Sequence, residues 1–332
     1  CMNSCSYRSW ILVIVWLAGA TLVTVPVVAQ QSAGEGVEVR ELTAAGFPVA
    51  HALKIEGSPT IDGVVLGEAF WEDAVVATGF RQNTPDEGQP ASERTEVRIT
   101  YNQDTLYFGI VCYTRDSSTI IVADSRRDSL LEETDSFQII IDTYQDQQNG
   151  FVFGTNPAGI EYDGQVTNEG QGSGRFGGGG GGRPGSGSSQ QGGSGGGFNL
   201  NWDGVWQVRA RISEIGWTAE IAIPFRTLRY PAGDVQNWGL NFQRNIRDLN
   251  EQAYWAPLPR QFNLNRISLA GELQGIEVPA QRNLKLTPYV LGEAIRRQVD
   301  TKTTTLGDFG ADLKYSITPS MTLDLTYNTD FA

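Results

Sequence analysis

The chain has 332 residues, 40% of them hydrophobic, and its 38 acidic and 25 basic side chains give a formal charge of −13. This length and hydrophobic share suit one large or two moderate folded domains. The acidic balance argues against nucleic acid as a partner, because binding to phosphates needs clustered Lys and Arg. The single histidine, His51, argues against imidazole-based nucleophiles and most zinc sites, and we expect it to be a surface or strand-edge residue.

The N-terminus carries an apolar run over residues 9–29, which follows Arg8 and ends in Val-Val-Ala at Ala29. This pattern predicts a secretory signal peptide over residues 1–29, with residues 30–50 as a linker to the folded part. An uncleaved anchor helix is the alternative, because the run is long enough to span a bilayer. Cleavage would leave Cys112 as the only cysteine, and its strand pattern predicts a buried, inert thiol.

Residues 51–278 contain short alternating strands separated by Gly, Asn and Asp turns, and no amphipathic helix of convincing length. Such a pattern predicts an all-β fold, an antiparallel β-sandwich. One predicted hairpin pairs Tyr101 with Leu106, and a second pairs Ile212 with Trp217.

The second hairpin decides the position of two tryptophans. Its register places Trp206 opposite Ile223, and it puts Trp206 and Trp217 on one apolar face, which we expect to face the core. The opposite face receives Arg209 beside Glu220, a predicted cross-strand pair of opposite charges.

A Gly-rich insert, residues 170–197, interrupts the sandwich with almost no side chain to bury. Its composition predicts a disordered loop between two strands. Arg175 and Arg183 are similar to the Arg-Gly segments of RNA-binding proteins, but two arginines on an acidic exported chain favour a linker.

After the sandwich, residues 283–332 contain longer strands, each with one apolar and one polar face. This pattern predicts the first strands of an outer-membrane β-barrel, with residues 296–306 as an outer loop and 318–320 as a periplasmic turn. A soluble sheet with one wet face would alternate in the same way. Because a barrel needs about eight strands or more, we expect the sequence to be a fragment of a longer protein.

Six segments, taken in chain order, resemble those of one protein family. They are "IDGVVLGEAFWEDA", "YNQDTLYFGIVCY", "TDSFQIIIDTYQDQQNGFVFGTNPAGIEYDG", "WDGVWQVRARISEIGWTAEIAIPFRTLRY", "WGLNFQRNIRDLNEQAYWAP" and "GELQGI". The series resembles bacterial outer-membrane proteins that join an N-terminal domain like the family 9 carbohydrate-binding modules to a C-terminal β-barrel. The match covers about residues 52–332 apart from the insert. It implies a sandwich that binds mono- or oligosaccharides and often carries structural calcium.

The candidate ligand residues can stack on a sugar or bond its hydroxyls, and they are Trp255, Arg244, Trp202 and Asn156. Trp202 and Trp255 stand at strand ends and break the inward pattern. Arg244 is in phase with Leu240 and Phe242, and an inward guanidinium needs an acidic partner or a ligand. Turn chemistry is the first interpretation of Asn156. Asp142 and Asp146 are weak candidates for calcium ligands, because their spacing is not that of a complete loop.

No catalytic pair is predicted. Several carboxylates are available for glycoside hydrolysis, but nothing in their spacing singles out two; they are Glu132, Glu133, Asp135, Asp142 and Glu161. The sequence therefore predicts a non-catalytic carbohydrate-binding protein, exported to the outer membrane with its N-terminal domain in the periplasm and its barrel in lipid. The alternatives are a structural plug or gate of a transporter that binds no sugar, and a glycoside hydrolase.

Overall fold

The computed structural model describes residues 41–171, 197–233, 235–279, 284–296, 303–318 and 321–327. The strands are β1 (Val49–His51), β2 (Leu53–Lys54), β3 (Val76–Ala77), β4 (Arg81–Thr84), β5 (Thr95–Tyr101), β6 (Thr105–Tyr113), β7 (Ser136–Asp142), β8 (Gly150–Thr155), β9 (Tyr162–Gly170), β10 (Gly197–Asn199), β11 (Gln207–Ser213), β12 (Gly216–Pro224), β13 (Val235–Ile246), β14 (Glu251–Tyr254), β15 (Gly271–Glu277), β16 (Leu284–Arg296), β17 (Thr303–Thr318) and β18 (Met321–Tyr327). The predicted signal peptide and the interior of the predicted insert lie outside the described residues.

The strands form two packed sheets and a separate third one. The first sheet has the order β1-β15-β13-β7-β8-β9-β10, with β14 beside β13 and β4 beside β14. The second has the order β11-β12-β6-β5-β2, with β3 beside β5. One core cluster contains buried side chains of both sheets, such as Phe137 and Phe242 of the first and Phe108 and Ile221 of the second. The predicted β-sandwich is therefore confirmed.

Residues before position 51 contribute to this sandwich. Val49 pairs with Glu272 as β1 lies parallel to β15, and Leu42 forms an isolated bridge with Pro48. The last part of the expected linker is therefore bound to the first sheet. His51 lies at the end of β1, where its Nε2 is 2.8 Å from Oε2 of the exposed Glu41.

Both predicted hairpins have the expected register. Tyr101 pairs with Leu106 between β5 and β6, and Ile212 pairs with Trp217 between β11 and β12. Trp217 is 0% exposed and Trp206 is 4% exposed, and both belong to the core between the sheets. The expected pair of Trp206 with Ile223 follows the same register but lies one residue before the ladder, which begins at the pair of Gln207 with Ala222.

Glu220 lies opposite Arg209 as predicted, but its carboxylate has other partners. Glu220 is fully buried and accepts hydrogen bonds from Nε1 of Trp71 at 2.9 Å and from the N–H groups of Asp62 and Gly63 at 2.8 Å. Arg209 is exposed. The predicted ion pair is therefore wrong, because Glu220 points under a covering segment and not towards solvent.

That covering segment packs on the outer face of the second sheet. The four-residue helix α1 (Ala69–Glu72) carries Trp71, which is buried with Val65 and Val111 in a small cluster. A Cβ atom on Gly109 of β6 would lie 2.8 Å from the Trp71 ring, so the indole requires glycine beneath it. Trp71 is therefore a structural plug on this face.

The first sheet is covered on both faces. Its outer face forms a second apolar cluster, in which Leu131 and Ile267 from two connecting segments cover Ile140 and Val152. This explains why every residue of β7 is buried, although the alternation of Phe137, Ile139 and Ile141 indicates only one apolar face.

The helical content of the described residues is small. Besides α1 there are single 3-10 turns at Ser117–Thr119, Leu131–Glu133, Phe225–Thr227 and Ile267–Leu269. Within the ranges that the structure describes, no helix is long and apolar enough to cross a membrane.

The third sheet has the order β16-β17-β18. Its register aligns Leu286, Leu313 and Leu325 in one row, so the predicted apolar residues share a face. The most exposed members of that face are Leu286, Val290, Phe309, Leu325 and Tyr327, which are 51–83% exposed. The predicted loop over 296–306 is too long at both ends, because β16 includes Arg296 and β17 begins at Thr303.

Tyr289 lies on the other face of this sheet. It pairs with Gly310, and a Cβ atom there would overlap the tyrosine ring. The Tyr289 hydroxyl donates to the carbonyl oxygen of Tyr327 at 3.3 Å and thereby reaches across β17 to β18.

We predict that Glu220→Gln changes how stability depends on pH. Burial raises the pKa of Glu220 above its usual value, although the N–H groups of Gly63 and Asp62 and the Trp71 indole offset part of the rise. The proton-linked stabilisation is therefore fully present below about pH 4.5. It is lost as the pH rises through the folded-state pKa.

Urea unfolding at a series of pH values measures this effect. The free-energy difference between wild type and Glu220→Gln should grow in favour of the wild type as the pH falls through that window. Parallel pH curves for the two proteins would contradict the assignment.

Candidate functional site

The segment between β10 and β11 crosses from the first sheet to the second and carries Trp202. The carbonyl of Asn199 accepts the Trp202 N–H at 3.4 Å, and the Asn199 side chain accepts the N–H of Asn201 at 3.1 Å. The half-buried indole lies on two rings of the core, with centroid distances of 5.1 Å to Phe151 and 5.9 Å to Phe153. Trp202 is thus the one predicted ligand residue whose side chain keeps exposed surface.

Asp163 holds this segment in place. It lies opposite Phe153 on β9, so its side chain shares the face on which Trp202 packs. Asp163 is 1% exposed, and its Oδ2 accepts the N–H of Gly204 at 2.7 Å. A Cβ atom on Gly204 would lie 2.8 Å from the Trp202 ring, so the glycine allows the indole to fold back against its own chain.

Arg127 joins this site from the long β6–β7 connection. Its Nη2 lies 2.9 Å from Asp163 and 2.6 Å from Asp203, and its Nη1 lies 3.2 Å from Glu161. Its Nε lies 3.5 Å from Asp128. One guanidinium therefore meets four carboxylates, which leaves the group with a formal charge of −3 when all are ionised.

The pKa values in this group reflect that imbalance. Burial raises the pKa of Asp128, Arg127 offsets part of the rise, and the charge of Asp163 adds to it. Burial lowers the pKa of Arg127. The hydrogen bond to Asp163 and the charges of the surrounding carboxylates outweigh this effect, so the pKa is raised.

Gln165 completes the set of polar groups. It lies opposite Phe151 on β9 and opposite Asn199 on β10, and its side chain is half-buried. We call Trp202 together with Gln165, Arg127, Asp163 and Asp203 the Trp202 site. Sequence reasoning missed Gln165, Asp163 and Arg127; the alternation along β9 could have placed the first two on one face.

Trp255 is not available to a ligand. Its side chain is 1% exposed in the core between the sheets, with its ring centroid 5.4 Å from that of Phe242. Trp255 does follow the end of β14 at Tyr254, but its side chain packs into the core, which does not support the predicted contact role.

Arg244 has a structural role as well. It is 1% exposed, and it donates from Nη1 to the Arg94 carbonyl at 2.8 Å and from Nη2 to the Tyr113 carbonyl at 2.7 Å. Nη1 also bonds the Thr95 hydroxyl at 3.0 Å. Burial raises the pKa of Asp135, and the charge of Arg244 is among the groups that offset this rise. The Arg244 guanidinium is therefore held by two backbone carbonyls and the nearby Asp135 carboxylate, and not by a ligand.

Asn156 forms a turn, in agreement with the first interpretation of the sequence. It is fully buried, its Nδ2 donates to the Asp124 carbonyl at 2.7 Å, and its Oδ1 accepts the N–H of Ala158 at 2.9 Å. The carbonyl of Asn156 accepts the N–H of Gly159 at 2.8 Å, and Gly159 has a left-handed φ of +73°. Both ends of its amide are used within the protein, so the alternative ligand role is wrong.

The calcium candidates bond to their own loop. The carboxylate of Asp142 accepts the N–H groups of Tyr144 and Gln147, and that of Asp146 accepts the N–H groups of Gln148 and Asn149. Among the described residues, no group of three or more acidic, histidine or cysteine side chains could hold a metal ion. Both carboxylates therefore shape this loop as acceptors for its backbone N–H groups.

The carboxylates considered for hydrolysis have structural partners or lie in solvent. Asp135 accepts the N–H of Ile121 at 2.7 Å, and Glu161 pairs with Arg127. Glu132 and Glu133 are exposed on a 3-10 turn. None of these contacts favours a general acid.

Comparisons with known proteins found similar solved structures only. No protein-family model matches the chain, and no curated protein matches it. A family 9 carbohydrate-binding module from Caldicellulosiruptor kristjanssonii, solved with glucose, is 13% identical with a TM-score of 0.45, and the match covers 70% of this chain and 96% of the module.

Two further solved structures resemble the chain. A family 9 module from Caldicellulosiruptor kristjanssonii with cellotriose is 14% identical with a TM-score of 0.42, over 70% of this chain and 94% of that one. A candidate carbohydrate-binding protein from Bacteroides uniformis is 11% identical with a TM-score of 0.46, over 69% of this chain and 99% of that one. These values are too low to assign a function, and the fold class rests on the chain's own two packed sheets.

We predict that Arg244→Lys lowers the free energy of unfolding by about 1–3 kcal/mol. A lysine ammonium group cannot donate to the Arg94 and Tyr113 carbonyls at the same time, as the planar guanidinium does. Denaturant unfolding measures the change. Binding at the Trp202 site should persist in the variant. Unchanged stability would contradict the structural role.

Proposed function

We propose that the chain is a non-catalytic carbohydrate-binding protein and that the Trp202 site holds the sugar. The observation that supports this most directly is a half-buried indole, fixed on Phe151 and Phe153, beside planar polar groups. A pyranose presents a face of C–H groups that packs on an aromatic ring, and its hydroxyls need donors and acceptors around that ring.

Each side chain has a separate task in this proposal. Trp202 stacks on the sugar face, while the Gln165 amide and the Asp203 carboxylate bond the hydroxyls. Arg127 and Asp163 position the segment, since Asp163 holds Gly204 and Arg127 holds Asp203. Because these bonds form without ligand, little further ordering is needed on binding, which favours affinity.

Isothermal titration of the full chain with neutral oligosaccharides tests the site. We predict that Trp202→Ala lowers affinity by about tenfold or more, because the stacking surface, worth about 1.5 kcal/mol, is lost. Trp255→Phe is the matched control: it changes a buried tryptophan, keeps the core filled, and should leave binding unchanged.

The two variants distinguish this site from the other candidates. Loss of binding in Trp255→Phe but not in Trp202→Ala would overturn the assignment. No binding to a broad saccharide panel would favour a structural plug, and release of reducing sugar would favour an enzyme.

We also propose that the protein is exported to the outer membrane, with β16, β17 and β18 as strands of a lipid-embedded barrel and the sandwich in the periplasm. The exposed apolar face of the third sheet supports this, because Val290 is 83% exposed and Phe309 is 62% exposed. A lipid-facing surface of this kind needs no covering by protein.

Flotation of the protein expressed from its complete reading frame with phospholipid vesicles tests the membrane proposal, because three strands alone cannot close a barrel. We predict that Val290→Lys reduces the floating fraction, because lysine on a lipid-facing surface costs about 2–4 kcal/mol at the bilayer midplane. Thr326→Lys places the same charge on the opposite face and should float like the wild type. A wild-type chain that does not float, or a Val290→Lys variant that floats equally, would contradict the proposal.

A further inference from the structure

The Trp202 site is surrounded by more negative than positive side chains. Four carboxylates lie within 3.5 Å of the Arg127 guanidinium, which is their common ion-pair partner. At neutral pH the five groups retain a formal charge of −3 when ionised. A ligand that stacks on Trp202 therefore approaches a negative surface.

The groups that a ligand can reach add to this bias. Asp203 directly follows Trp202, and its side chain is 76% exposed. Asp163, in contrast, is 1% exposed, and both of its oxygens are used by Arg127 and Gly204. The guanidinium nitrogens of Arg127 face carboxylates, and Asp203 is the most exposed carboxylate of the group.

Two forces then act on a cation in the same place. An ammonium group is attracted to the face of an indole by the ring quadrupole, and a carboxylate accepts a charge-assisted hydrogen bond from it. An acidic sugar meets the opposite situation, because like charges repel across the site.

We propose that the Trp202 site prefers saccharides with free ammonium groups, that is, amino sugars whose amine is not acetylated, over neutral and acidic sugars. This preference rests on the proposed sugar-binding function and adds the class of ligand. Trp202 supplies the stacking surface, and Asp203 selects the charge.

Titration of the full chain with four tetrasaccharides tests the preference: the β-1,4 glucosamine tetramer, its N-acetylated form, cellotetraose and a galacturonic acid tetramer. The pH is about 6, because an amine with a pKa near that of an α-amino group, about 8, is then protonated. We predict that the glucosamine tetramer binds about tenfold tighter than cellotetraose at low salt, and that the ratio falls as salt screens the charges.

Asp203→Asn should bring the affinities for the glucosamine tetramer and cellotetraose within about threefold, because the exposed charge is removed while the amide keeps a similar shape. Asp86→Asn is the matched control, since Asp86 is an exposed aspartate just after β4, and it should keep the wild-type ratio.

The possible results separate the two proposals. Equal or tighter binding of cellotetraose in the wild type would overturn the ammonium preference and leave sugar binding intact. A preference that survives Asp203→Asn, or that Asp86→Asn reduces equally, would overturn the role of the site in selecting charge. No binding of any tetrasaccharide would overturn both the preference and the proposed function.

Discussion

A single guanidinium, that of Arg244, joins the two sheets at one end of the sandwich. A buried charge costs several kcal/mol unless its hydrogen bonds are made, so the carbonyls of Arg94 and Tyr113 must stay where the fork meets them. This fixes the start of β5 and the end of β6 against β13. On the outer face of the second sheet, the Glu220 carboxylate accepts the Trp71 indole N–H and holds the segment around Trp71 in place. Apolar packing alone tolerates small shifts, whereas these two bonded charges define position.

The strand pairing could be predicted from the sequence because it is local. In a hairpin, a period of two leaves one register that buries all apolar residues on one side, and Trp217 therefore came out in the core. The same reasoning placed Arg244 inward but could not name its partners, and it left Trp255 as a candidate ligand residue, because strand alternation does not show which strand ends are covered. Here the cover comes from distant segments, such as those of Leu131 and Ile267. Their packing has no periodic signal in the sequence.

The candidate site shows the same limit. Trp202 could be predicted because it stands outside the hairpin ladder and next to the insert. Arg127 could not, because its bonds to Asp163 and Asp203 span 36 and 76 residues and start from an irregular connection. Charge patterning therefore gave no signal for this group: the sequence shows single carboxylates, and only the fold gathers four of them around one arginine.

The pairing of β9 with β10 has a consequence for the evolution of the insert between them. Gly197 lies opposite Gly170, and Phe198 lies opposite Val166, so the two ends of the insert already meet inside the sheet. Because Gly170 and Gly197 are fixed in the sheet, the cost of the chain length between them is set by a closure entropy that grows slowly, by about 0.6 kcal/mol for each doubling. A change in that length leaves Trp202 on Phe151 and Phe153. The architecture thus separates a length that evolution can change from the proposed binding surface a few residues away.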